Sequence, residues 1–509
     1  MVLDSLPCKS SLHKLGQNTI RDFSHGSAIA QHFQIAETPD QEPTIPSPAV
    51  FNFDKDTHGR QRGDTHRLPL VASCAAHLEL LEVFYLLRQK ILASEDIDRA
   101  CDIKPVRETK TGARGDTKTL RDKTLWTRRQ QKWTHYLEFA AVRFLVWRDA
   151  LRRDADGMVV ARDDGTHTLV NLPPIDVLMV WHAFMLNPRL FAQTCKEEVL
   201  YGIRMPWKAV HERIENRTWV FGLTAAEESA FGRITGLSTD LYDQFATWIP
   251  EPEKPTVSNL GLLTKALPVK PAKPAANRPK LGAFSFERGN KSTSTIHALL
   301  PPPAPSPPVT WTETDLKYKS LFDRTDVDLA KQLRDAVDRQ TAFVDKMNKH
   351  MWIRSPALVG TLTRAVSRYG KFLDLMRRYP KVMVVPTLDI DLAWHTHQCA
   401  AAFYARGVKA VVGRFVNHDD SIAEAKLGTG FDDTLKVWRV HYGTQYRLCR
   451  CWDCEALQSA LDEAMQGAGR EEDVDMEAVA RGAREEVTYY RAVEVAIRTR
   501  KPLPIRPSA

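Results

Sequence analysis

The sequence predicts a mainly α-helical protein, with two related helical units joined by a proline-rich linker and few short strands. Three observations carry this reading. Apolar residues recur three, four or seven apart over long stretches, which is the period of one helix face. A tryptophan–histidine segment occurs twice, each time after such a stretch. Between the two copies lies a run rich in proline and poor in core residues.

The chain has 509 residues, 43% hydrophobic and 26% charged, which supplies apolar material for two separate cores. Residues 1–66 are polar and turn-rich, as in TPDQEPTIPSP and DKDTHGRQRGD, and are expected to be mostly disordered. The first helical unit spans 67–250. HLELLEVFYLLRQKIL at 77–92 reads as a buried helix. A second helix from Leu125 to Leu151 puts Trp126, Trp133, Tyr136, Leu137, Ala140, Phe144 and Trp147 on one face, as core. RRDADGMVVARDDGTHTL at 152–169 has hairpin-like turns and no helical period.

Residues 251–312 form a basic linker that carries about +5 of the +8 net charge by tally. Its run PPPAPSPP at 301–308 favours an extended polyproline helix, a ligand for an SH3- or WW-type domain or a semi-rigid spacer. The second unit spans 313–466. Leu329, Leu333, Ala336, Val337, Gln340, Val344 and Met347 share one stripe, and Val366, Tyr369, Phe372, Leu373 and Met376 form the inward face of a helix from Leu362 to Tyr379. VMVV at 382–385 reads as a short strand or an extended lead-in stopped by Pro386. Residues 467–509 read as a charged helix and a basic tail.

The repeat pairs NLPPIDVLMVWHAFMLNPRLF (171–191) with VVPTLDIDLAWHTHQCAAAFY (384–404). Setting Trp181-His182 on Trp394-His395 also sets Pro173 on Pro386, Asp176 on Asp389 and Phe191 on Tyr404. Proline near a helix start suits its fixed φ, and a first-turn aspartate complements the helix dipole. The copies differ where chemistry would matter. Asp391 replaces Leu178, and His397 replaces Phe184.

The candidate site therefore falls in the second unit, at Asp391, Trp394, His395, His397, His418, Asp419 and Asp420. Asp391 and His395 are four apart and share a helix face, as metal ligands or a hydrogen-bonded pair would, while His397 points to another side. HDD at 418–420 offers imidazole and carboxylate from a loop, or a turn and helix cap. Cys449, Cys451 and Cys454 offer three thiolates. A metal set of His395, His418 and these cysteines favours zinc, with iron second. The plain structural reading makes the histidines buried core residues paired with neighbours. His418 and Asp420 with His441 also match a 2-His-1-carboxylate iron set, which implies a 2-oxoglutarate-dependent oxygenase and a barrel of strands.

VPTLDIDLAWHTHQ, HDD, FDDTLKVWRVHYGTQY and CRCWDCEAL together resemble the glycine-rich domain-containing protein-like family, whose shared region is a domain of unknown function. PPIDVLMVWHAFMLNPRLF and MPWKAVHERIEN resemble its upstream half, so the resemblance reaches about two thirds of the chain by motif spacing. It implies links to development and stress responses in plant members, many with a glycine-rich C-terminal region. This chain has 25 glycines and a charged helical C-terminus, and CRCWDCEAL is closer in style to fungal members.

No signal peptide or membrane-length apolar run is evident, and the cysteines are scattered apart from the last three. The chain is expected to be intracellular, cytoplasmic or nuclear, with a protein partner and without nucleic-acid or membrane binding. P-loop, GxGxxG, GxSxG and HExxH signatures are missing. The leading functional reading is a non-enzymatic binding or scaffold protein that uses the WHxH face, the polyproline run or both. The alternative is a metal-dependent enzyme in the second unit.

Overall fold

The computed structural model describes residues 45–54, 68–247 and 313–506, apart from 102, 107, 112–116, 121, 154–156, 163–164, 421, 468–473 and 500. The linker, its polyproline run and most of 1–66 lie outside the described residues. The exception is 45–54, which was expected to be unstructured. It forms a 3-10 turn at Pro48–Phe51 with Val50 buried and Phe51 stacked on His211 at 3.7 Å.

Seventeen α-helices and three two-stranded antiparallel hairpins make up the described residues. The first half runs α1 (Val71–Ala93), α2 (Glu95–Ala100), hairpin β1–β2 (Glu108–Thr111, Thr117–Leu120), α3 (Leu125–Arg153) and hairpin β3–β4 (Val159–Ala161, His167–Leu169). It continues through α4 (Ile175–Met185), α5 (Pro188–Cys195), α6 (Val199–Gly202), α7 (Trp207–Glu212), hairpin β5–β6 (Ile214–Glu215, Val220–Phe221), α8 (Ala225–Thr235) and α9 (Leu241–Thr247). The second half is α10 (Glu313–Arg324), α11 (Val327–His350), α12 (Leu358–Arg378), α13 (Leu388–Gln398), α14 (Ala401–Val412), α15 (Glu424–Tyr442), α16 (Trp452–Gly467) and α17 (Met476–Thr499).

The stripes read from the sequence are the buried faces of α3, α11 and α12, except that Trp126 stands half exposed at the start of α3. The segment 382–385 is an extended lead-in. Val385 donates its N–H to Thr434 Oγ1 at 2.9 Å and accepts from the Tyr446 hydroxyl at 2.7 Å. The close crossing of this lead-in over α15 needs a glycine. A Cβ at Gly430 would collide with Met383 Cε and come within 3.0 Å of the Met383 carbonyl oxygen. Gly430→Ala is expected to cost about 1–3 kcal/mol by overpacking. A denaturant midpoint unchanged from wild type would refute that.

The two halves do not form separate cores. One buried cluster runs through both, because the apolar stripe of α11 packs on α1, α3 and α4 of the first half. Buried polar contacts cross the same boundary. Arg334 pairs with Glu138 at 3.0 Å, and Arg354 with Glu82 at 2.8 Å. A small satellite cluster of Met351, Ala357, Trp452, Ala456, Ala483 and Val487 seats the α16–α17 pair.

The repeat has a buried ionic signature. In the first half Arg143 on α3 donates to Asp176 at the start of α4 (Nε to Oδ2, 2.6 Å), with both side chains fully buried. In the second half Arg368 on α12 donates to Asp389 Oδ2 at the start of α13 (2.8 Å), and Arg450 pairs with the same oxygen at 2.8 Å. Both aspartates thus anchor the following tryptophan–histidine helix to the long helix before it, a role stronger than complementing a helix dipole.

Candidate metal centre

Every residue of α13 is buried, from Leu388 to Gln398. The WHxH segment therefore lies inside the molecule and presents no face to a partner. Trp394 fixes what lies beside it. Its indole N–H donates to the Tyr404 hydroxyl at 2.9 Å, and that hydroxyl donates to the Val416 carbonyl at 2.9 Å. This relay draws the loop after α14 against α13 and brings His418 beside the helix. The His418 ring stands edge-on to Trp394 at 5.0 Å.

Asp391, His395 and His418 converge. The two Nε2 atoms lie 3.0 Å apart, and each lies 3.5 Å from Asp391 Oδ1. Asp391 and His395 are almost fully buried, and His418 keeps 11% of its side chain exposed. Phe343 covers the His395 ring at 4.4 Å. Burial, then the nearby imidazoles His418, His77 and His182, hold His395 well below the usual histidine pKa, so its ring is neutral.

A hydrogen bond between the two imidazoles satisfies one lone pair and leaves the rest of the cluster unmatched. Asp391 Oδ1 and both Nδ1 atoms are buried without a hydrogen-bond partner among the described residues. Leaving a buried carboxylate oxygen so placed costs at least about 1–3 kcal/mol. A zinc ion binds nitrogen and oxygen at about 2.0–2.1 Å, which at tetrahedral angles separates its ligand atoms by about 3.3–3.4 Å. The observed edges of 3.0, 3.5 and 3.5 Å bracket that separation. The donor set thus fits a small divalent cation. It departs from common sites in one respect, since among the described residues neither Nδ1 has the acceptor that usually orients a metal-bound ring.

The other sequence candidates are placed elsewhere. His397 points away, its Nδ1 3.0 Å from the Tyr369 hydroxyl, and burial with Arg204 nearby lowers its pKa to about 3. Asp420 binds Arg339 at 2.9 Å and Gln340 at 3.3 Å, which pins the loop to α11. Asp419 is not among the converging ligands. Cys449, Cys451 and Cys454 bring their sulfurs within 4.8 Å of one another, as a group apart from the histidines. The mixed nitrogen–sulfur set expected from the sequence therefore separates into two clusters.

His441 lies 3.6 Å from Asp374 and does not join His418. With that, and with helices and short hairpins in place of a barrel among the described residues, the oxygenase reading fails.

Two histidines were missed as neighbours of the site. His77 Nε2 lies 2.8 Å from His182 Nε2, and His77 Nδ1 lies 2.9 Å from Thr396 Oγ1. The Thr396 hydroxyl donates to the Leu392 carbonyl, so it must accept from His77 Nδ1–H. Burial keeps both rings neutral, and His182 then donates through Nε2–H. His182 is the repeat partner of His395, so the alignment held the signal for one of the pair. His77 carried none.

Residues 291–407 match the model of the glycine-rich domain-containing protein-like family. That stretch of the chain is similar to the family's shared region. Glycine-rich domain-containing protein 2 of Arabidopsis thaliana is 40% identical over 93 residues, covering 17% of this chain and 12% of that protein. Glycine-rich domain-containing protein 1 of the same plant is 35% identical over 122 residues, covering 22% of this chain and 14% of that protein. The chain thus spans only a small part of these relatives. No solved structure matches. The family match is narrower than two thirds of the chain. It takes in Asp391 and His395 but ends before His418 and the cysteines.

Proposed function

We propose that this chain, similar in part to the glycine-rich domain-containing protein-like family, binds one divalent transition-metal ion, zinc in first place, through Asp391, His395 and His418. The convergence of two imidazole nitrogens and a carboxylate oxygen, with that oxygen otherwise unpartnered among the described residues, carries the reading. The ion would close the 413–420 loop onto α13. Three protein ligands leave one coordination position for a small molecule, the ligand count of catalytic rather than closed structural zinc.

The test is metal content of the full chain beside Asp391→Asn, His395→Gln and His418→Gln, with Asp420→Asn as control. Each ligand variant is expected to lose one equivalent, and the control none. Metal at a hundredfold excess over Kd should stabilise the wild type by about 2.7 kcal/mol. Ligand variants that keep the wild-type content, or a wild type indifferent to added metal, would refute the site.

A binding or scaffold role for the whole chain rests on the 301–308 run alone, since the WHxH segment is buried. Capture of an SH3 or WW domain that survives Pro→Ala changes across the run would count against it. The seven described cysteines form no disulfide with one another, which fits the proposed cytoplasmic or nuclear location. No described helix is long and apolar enough to cross a membrane.

A further inference from the structure

We infer that Cys449, Cys451 and Cys454 form a second metal site, separate from the histidine centre, that takes a thiophilic d10 ion, zinc(II) first and copper(I) as the other source of the same chemistry. The loop that carries them is held by groups other than the thiols. The Trp352 indole donates to the Arg450 carbonyl at 2.8 Å, and the Trp452 indole donates to the His350 carbonyl at 2.9 Å. Arg450 turns its side chain inward to Asp389 and to Glu455, at 2.8 and 2.6 Å. Both flanks of Cys451 are thus fixed before any ion arrives.

The start of α16 completes the set. Glu455 donates its backbone N–H to the Cys451 carbonyl at 3.0 Å, so Cys451 sits at the helix entrance and Cys454 in its first turn. With Cys449 from the loop just before it, this brings all three sulfurs within 4.8 Å of one another. Cys451 is buried, while Cys449 and Cys454 keep partial exposure, which gives an ion a way in and solvent a fourth position. As thiolates the three cysteines match the preference of zinc for sulfur. Binding of zinc is Zn²⁺ plus three thiols giving a trithiolate complex of charge −1 and three released protons; copper(I) gives charge −2 with the same three protons. The ion would fasten the loop to α16, beside the satellite cluster that seats α16 and α17.

The experiment is reconstitution of the reduced full chain with cobalt(II), followed by zinc and copper analysis of the native protein. A sulfur-to-cobalt charge-transfer band is expected in the wild type and in His395→Gln, and not in Cys451→Ser or Cys454→Ser. Native protein should carry two equivalents of metal, falling to one in His395→Gln and one in the cysteine variants. The two sites therefore fail independently. Cys449→Ser, at a half-exposed position, serves if Cys451→Ser does not fold. A wild type without the band, cysteine variants that keep two equivalents, or reduced protein that reoxidises to a Cys451–Cys454 disulfide without taking up metal would overturn the site.

Discussion

Arg143→Met is expected to destabilise the fold by about 3–5 kcal/mol, more than the matching change in the second repeat. Asp176 is fully buried, and Arg143 is its cation partner, through Nε at 2.6 Å and Nη2 at 3.4 Å. Methionine fills much of the arginine volume but leaves the carboxylate in the core without a countercharge. Asp389 is in a different position. Arg368→Met still leaves it Arg450 at 2.8 Å and the Thr387 hydroxyl at 2.7 Å. The second substitution should therefore cost clearly less, although Arg368 also donates to the Tyr446 carbonyl. Arg143→Met/Asp176→Leu should regain most of the loss, because an apolar pair needs no compensation in that pocket. Urea midpoints for the four proteins, read at a common slope, decide the matter. Equal losses in the two single variants, or no recovery in the double, would show that the pairs are not the repeat's anchors.

Much of this architecture was legible, and the failures share one cause. Helical spacing located the buried faces of α3, α11 and α12 because a 3.6-residue period is a local property. The i,i+4 relation of Asp391 and His395 was legible for the same reason, and the repeat pointed to the second copy. What a face packs against is not local. The stripe on α11 reads as the core of its own unit, yet it lies on α1, α3 and α4, so two expected cores are one. His77 meets Thr396 across 319 positions and leaves no trace in either segment. α13 carries Asp, His and Gln and has no apolar stripe, so its burial from end to end could not be read from its pattern. Arg143 and Arg368 read as ordinary helix cations until their aspartates are seen beneath them.

Stability is expected to fall steeply as the pH drops from 6.5 towards 3. Burial holds the pKa of His182 and His397 down to about 3, and that of His77 well below the ordinary value. In the unfolded chain the same rings take up protons near pH 6.5. Below that pH the unfolded state binds more protons than the folded one, so stability rises with pH up to 6.5 and is lost as pH falls. Each ring contributes about 1.4 kcal/mol per pH unit in that window. Glu79 opposes them. Its burial raises its pKa to about 7 despite His211 at 2.8 Å, so between about pH 4.5 and 7 the folded state holds the extra proton. Three histidines less one glutamate give a net of about two protons, or about 2.7 kcal/mol per pH unit between 6.5 and 4.5. Below that the Glu79 offset ends and the slope steepens. His395 would add to it only in metal-free protein, since a bound ion excludes the proton. Against a typical stability of about 5–15 kcal/mol, unfolding should come in mild acid. Urea midpoints at pH 6.5, 5.5 and 4.5 measure the slope. His182→Phe should remove about one proton from it, while a slope below half a proton in the wild type would mean that these rings are not neutral in the fold.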